Sequence, residues 1–214
     1  MKTCRMIGFV LYAWQAKICS RRCKIKVLGI NGSPRLRGNC DILLDRALEG
    51  AVSAGAATEK IFLNKLTYRG CQECPDARTD GNCKIEDDMQ RVFPKVFEAD
   101  VIIVASPIFF GSVSSQTKAM IDRFQCYWMG RYFHHSVEQP MRKKGAFLSA
   151  QGNEKDEFFL NAKGVIKNFF ATVNAEYSEE LFCKKVDAKG DIQKRQDCLD
   201  AAYGIGERLG IENP

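Results

Sequence analysis

From Lys24 onward, short β-rich runs alternate with stretches of helical spacing, and each pair is separated by a loop of small or polar residues. "DVIIVAS" (Asp100 to Ser106) is the clearest run. It is apolar without alternation, as expected for a parallel strand covered on both faces. "KIKVLGI" (Lys24 to Ile30), "EKIFLN" (Glu59 to Asn64), "GAFLSA" (Gly145 to Ala150) and the weaker "EYSEELFCKKV" (Glu176 to Val186) read as its companions. Helical spacing links Leu44, Ala47, Leu48 and Ala51, with Gly55 as a stop. Further helices are predicted around Asp88 to Phe97, from about Ser114 to Tyr127, through Ala162, Ile166, Phe169 and Phe170, and through Leu199, Ala202 and Leu209. Repeated β-α units of this kind predict an α/β domain: a doubly wound five-stranded parallel sheet with helices on both faces. Ligands in such sheets bind at the carboxyl ends of the strands, so the loops after the strands are where chemistry is expected.

At 214 residues and 45% apolar content, the chain is long enough to bury one full core. Its formal charge of +6 is concentrated at the start. Lys2, Arg5, Lys17, Arg21, Arg22 and Lys24 stand there without an acid, and the remaining residues balance. Net charge therefore does not argue for a nucleic-acid surface, and no nucleic-acid partner is expected. "MIGFVLYAWQA" (Met6 to Ala16) has the flanks of an export signal but is interrupted by Gln15, lacks a small-x-small cleavage site, and is too short to span a bilayer. Residues 1–24 are expected to be an extension, and residues 25–214 the domain. The ten cysteines are below the density of a disulfide scaffold. They read as reduced thiols of a cytoplasmic protein without a membrane partner.

Three loops carry candidate chemistry. In "NGSPRLRGNC" (Asn31 to Cys40), small residues permit a sharp turn into a helix whose N–H groups can face an anion. Ser33 and Asn39 offer neutral donors, and Arg35 or Arg37 a charge. No Gly-Lys-Ser/Thr follows, and the pattern is not Gly-x-Gly-x-x-Gly; an ordinary turn with a helix cap explains it equally well. "SPIFFGSVSSQTKAMIDRF" (Ser106 to Phe124) sets Pro107, Ile108, Phe109, Phe110, Gly111 and Ser112 at a strand end. Apolar groups beside free backbone N–H groups suit a flat ring, although adjacent phenylalanines can equally close a core or a subunit contact. In "SAQGNEKDE" (Ser149 to Glu157), Gly152 permits close approach, and Gln151 and Asn153 can bond a ring edge, although a simple β-α turn explains the stretch equally well.

Together these stretches resemble the flavodoxin-like NAD(P)H-dependent FMN reductases, and most closely the branch containing the iron–sulfur flavoproteins, over roughly Ile25 to Leu209. The resemblance implies a flavodoxin-like fold, with Ser33, Arg35 and Asn39 at the FMN phosphate. Cys40 falls where the family usually has threonine. Pro107 to Ser112 would line the isoalloxazine ring, with Ser149, Gln151 and Gly152 at its other edge. It further implies NAD(P)H as electron donor, a small-molecule electron acceptor such as a flavin or quinone, a redox protein as a further partner, and a homo-oligomer, since relatives often build the ring pocket across a dimer. No constellation of His, Asp or Ser suggests acid–base or nucleophilic catalysis, so no catalytic side chain is assigned. A non-enzymatic flavin electron carrier is the rival. A receiver-type signalling domain would want acids at the first strand end, and Asn31-Gly32-Ser33 has none.

"GCQECPDARTDGNCKIEDDM" (Gly70 to Met89) places Cys71, Cys74 and Cys83 in one loop. Cluster-binding relatives have a compact four-cysteine motif whose third member falls at Ala77 of this chain. An all-cysteine cubane or a tetrahedral zinc wants a fourth donor. Asp76 or Asp80 would supply a hard oxygen, and His134 and His135 lie in another segment. The expectation is a remnant without metal, ahead of a labile cluster, with zinc or a redox dithiol last.

Overall fold

The computed structural model describes residues 24–74 and 79–211. Residues 1–23 of the expected extension lie outside the described residues, as do Asp76 and Ala77. The five expected strands form one parallel sheet: β1 (Lys26–Asn31), β2 (Ala57–Phe62), β3 (Val101–Ala105), β6 (Lys143–Ala150) and β7 (Ala175–Cys183), ordered β2-β1-β3-β6-β7. Ile30 of β1 pairs with Ile61 on one side and Val104 on the other. The chain winds outward in one direction from β1 and in the other from β3. The carboxyl ends of β1 and β3 therefore diverge into loops with space between them, the switch point at which open sheets bind ligands.

Both faces of the sheet are covered. Alternate side chains of each central strand point oppositely, so Ile103 joins a core with α1 (Asn39–Ser53) and α6 (Gln196–Gly210), through Leu44, Ala47, Ala202 and Ile205. Ile102 and Val104 join a second core with α2 (Met89–Glu98), α3 (Ser115–Asp122) and α5 (Asp156–Thr172), through Val92, Met120, Ile166 and Phe170. All five residues of β3 are buried, which accounts for its unbroken apolar sequence. Each large apolar side chain so buried contributes about 1.5–3 kcal/mol. Lys143, at the start of β6, is buried but not orphaned, because its Nζ donates to the carbonyls of Phe97 and Ala99 at the end of α2 (2.7 and 2.9 Å). Burial holds its pKa below the usual lysine value.

Two stretches differ from expectation. After β3 the chain makes a small antiparallel hairpin, β4 (Ile108–Phe109) with β5 (Ser112–Val113). Its tip holds Phe110 and Gly111 at φ of 48° and 73°, the left-handed pair that a tight hairpin requires. The helix expected through Tyr127 breaks at Arg123. There the N–H groups of Arg123 and Phe124 turn back to Met120 and Ile121, three residues earlier (3.1 and 3.0 Å). The chain resumes as α4 (Gln125–Trp128), followed by a wider π-type turn over Met129–Phe133. No helix among the described residues is long and apolar enough to cross a membrane.

Candidate functional site

The loop after β1 is organised by a carboxylate that sequence reading passed over. Asp41, in the first turn of α1, is buried. It accepts from Asn31 Nδ2 (2.6 Å) and from the Arg37 N–H (2.7 Å), and pairs with Lys60 of β2. Asn31 in turn accepts from the Ser33 N–H through its Oδ1 (2.8 Å). The turn is thus held from inside by side chains. The N-cap residue Gly38 has no side chain to offer, so the first N–H groups of a 15-residue helix lack a capping partner from their own sequence. Such an end favours an anion.

The loop after β3 is stitched to the first. Ser114 Oγ donates to the Gly32 carbonyl (2.6 Å) and accepts from the Thr117 N–H (3.2 Å), capping α3. A Cβ at Gly32 would lie 1.8 Å from Thr117 Oγ1, so glycine is a steric requirement of this contact. The loop after β6 joins through Ser149, whose Oγ donates to the Ser106 carbonyl (2.8 Å).

One cleft at the carboxyl ends of β1, β3 and β6 is lined by Ser33, Arg35, Asn39, Cys40, Pro107, Ile108, Phe109, Gln151 and Gly152, all expected from the sequence. The other four expected residues lie elsewhere. Ser149 is buried in its bond to Ser106, Gly111 is buried against Phe158, Ser112 pairs across the hairpin, and Phe110 at its tip is fully exposed. Burial pushes the Cys40 thiol up to about 12, so it is a neutral small group in the cleft wall.

Gln151 bears most directly on a ligand. Its Nε2 donates to the carbonyls of Asn153 and Lys155 (3.2 and 2.9 Å), which fixes the amide's orientation. Its Oε1 is buried and without a hydrogen-bond partner. An unmet buried acceptor costs about 1–3 kcal/mol, and a donor on a bound molecule would relieve it.

The sequence did not point to the segment after β7. Its Val186 and Asp187, with Ala150 at the end of β6, complete the cleft. Arg35 Nη1 donates to the Asp187 carbonyl (3.1 Å) and Asn39 Nδ2 to that of Ala188 (3.0 Å). Asn39 Oδ1 also accepts from the N–H groups of Gly190 and Ile192 (3.0 and 3.3 Å). Asn39 therefore ties the first loop to the last, whatever else it contacts. No polar signal marks these partners, because they are backbone groups.

The cysteine loop is anchored separately, by Arg123. This buried guanidinium donates to Asp87 Oδ2 (2.5 Å), to the carbonyls of Arg69 and Ile85 (2.9 and 3.1 Å), and to Cys83 Sγ (3.3 Å). Burial alone would raise the Asp87 carboxyl; the Arg123 bond and the N–H groups of Met89 and Arg69 outweigh it and hold the pKa below the usual value. Cys126 of α4 lies against the same loop. Its thiol is pushed up to about 12, first by burial and then by the neighbouring charge of Cys83 and, more weakly, Cys71. Among the described residues, no group of three or more His, Cys, Asp or Glu side chains converges on a position for a single metal ion.

Residues 25–157 match the model of the NADPH-dependent FMN reductase family. An iron–sulfur flavoprotein of Methanocaldococcus jannaschii is 41% identical over 113 residues, 53% of this chain and 58% of the relative. An iron–sulfur flavoprotein of Methanosarcina thermophila is 38% identical over 99 residues, 46% of this chain and 52% of the relative. The matched stretch thus spans little more than half the length of these curated relatives. Among solved structures, an NAD(P)H:quinone oxidoreductase from Methanothermobacter marburgensis superposes with a TM-score of 0.68 at 18% identity, over 87% of this chain and all of that one; this likeness is one of fold. The matched model covers more than half of the chain and all three loops of the cleft, and the protein belongs to the NADPH-dependent FMN reductase family.

Proposed function

We propose that the protein is an FMN-dependent oxidoreductase that takes electrons from NAD(P)H and delivers them to a small acceptor such as a flavin or quinone. The observation that carries this reading is the cleft at the β1/β3 switch point, lined by Asn39 and Cys40 at the start of α1, which no side chain caps, and by Gln151, whose buried Oε1 is unmet. When bound, FMN supplies the capacity to accept a hydride and release electrons singly or in pairs. The chain's own residues bind and orient.

Ser33, Arg35 and the N–H groups at the start of α1 hold the phosphate, with Asn39 keeping the last loop closed beside it. Ile108 and Phe109 give the ring an apolar wall. Gln151, with its unmet Oε1, would offer the ring edge an acceptor. Ser149 contributes indirectly, by holding the Ser106 carbonyl at the end of β3. With Phe109 42% exposed, one side of the wall is open, which leaves access for a nicotinamide. A homo-oligomer and a cytoplasmic setting accompany this reading.

The test is anaerobic mixing of FMN-loaded protein with NADPH and with NADH. Flavin bleaching within seconds, followed by recovery on adding a quinone, is the expected result. A flavin that either nucleotide leaves oxidised, yet is reduced at once by a protein donor, would make this an electron carrier instead.

A further inference from the structure

A second cleft, sharing no lining residue with the first, lies between the cysteine loop and α4, with a volume of about 120 Å³. Cys71, Cys74 and Cys83 line it from the loop, and Cys126 lines it from the helix, with Arg123 and Ile85 between them. The fourth thiol that the loop lacks is therefore present, on a different element. We propose that Cys71, Cys74, Cys83 and Cys126 together hold a four-iron, four-sulfide cluster, with Cys126 standing in for the loop cysteine that Ala77 replaces.

Three observations favour a cluster over other occupants. The donors are all thiols, which suit iron–sulfur cores better than hard cations. All four line a single cleft, which they reach from two different elements. Finally, four thiolates on a cubane leave net negative charge, and Arg123 puts a buried positive charge against it, already hydrogen-bonded to Cys83 Sγ. Hydrogen bonds and charges of this kind are what tune such centres. The break in the helix after α3 gains a reason as well: it sets Cys126 and Arg123 facing the loop. The proposal stands independently of flavin binding in the first cleft, and it displaces the expectation that the loop is a metal-free remnant.

The test uses full-length protein purified without oxygen and incubated with ferrous iron, sulfide and thiol, then desalted. Bound iron and acid-labile sulfide should approach about four each per chain. A dithionite-reduced sample should give the electron paramagnetic resonance signal of a reduced cubane. Cys126→Ser should lose at least three-quarters of the iron, while Cys198→Ala, on the buried face of α6, should keep it. Ala77→Cys combined with Cys126→Ser should restore it. Flavin content and circular dichroism separate loss of the centre from loss of the fold. As a check needing no variant, alkylation of Cys126 in wild-type protein, mapped by mass, should slow on reconstitution together with that of Cys71, Cys74 and Cys83. Full iron retention in Cys126→Ser, unchanged alkylation of Cys126, no iron uptake, or uptake of zinc without sulfide would each overturn the proposal.

Discussion

Gly32 shows how a single residue position can join two loops. Its missing side chain lets Thr117 and Ser114 close over the end of β1. Gly32→Ala should destabilise the protein by about 1–3 kcal/mol through overpacking, read as a lower denaturant midpoint, and Thr117→Ala in the same chain should recover part of the loss. Gln151 makes the complementary point about a group left unmet. Gln151→Leu removes the orphaned acceptor, so it should weaken FMN by roughly tenfold or more, about 1.4 kcal/mol, measured by fluorescence titration. Unchanged affinity would mean that Oε1 meets no flavin donor. At this scale the sequence announced the lining residues of the cleft, because Ser33, Arg35, Pro107 and Gln151 sit in loops at strand ends. It did not announce Asp41 or Asp187. An acid in a first helical turn is commonplace, and Asp187 acts on Arg35 through its backbone carbonyl. Cys126 was equally silent, since nothing in its own neighbourhood resembles a ligand motif.

Among the elements, strands and helices were legible where hydrophobic spacing decides them, as in β3 and α5. The hairpin β4–β5 and the break after α3 were not. Both are set by tertiary contacts: a left-handed Phe110 no propensity would select, and an Arg123 whose partners are about 36 to 54 residues away in sequence. The Arg123–Asp87 pair is nearly dry, with side-chain exposures of 0% and 12%. Removing one partner should therefore cost about 3–5 kcal/mol, and Arg123→Met should release the cysteine loop to proteolysis while the sheet survives. The pair also sets a pH dependence. The Asp87 carboxyl is depressed in the native state, so its contribution is complete above the ordinary value of about 3.9. It is lost as pH falls through the lowered native value. Stability measured between about pH 6 and pH 3 should fall less steeply in Asp87→Asn than in wild type, after allowing for its lower starting point. Parallel curves would remove Asp87 from the acid limb.

For the whole molecule, the parallel sheet followed from the β-α alternation, but the strand order that opens the switch point came only with the structure. The order matters because it alone brings the loops after β1, β3 and β6 to one edge. Phe110, exposed at the hairpin tip beside Phe109, is the position where an expected second copy would meet the cleft. Phe110→Asp should shift a dimer toward monomer in light scattering and lower flavin retention, whereas an unchanged mass would place the contact elsewhere. Removal of residues 1–23 is expected to leave folding and flavin content as they are, checked by circular dichroism and absorption. The central claim is that the cleft holds a flavin by its phosphate. Titration of apoprotein with FMN and riboflavin in parallel tests it most directly. FMN should bind at least about tenfold more tightly, a difference near 1.4 kcal/mol, and equal affinities for the two would contradict the claim.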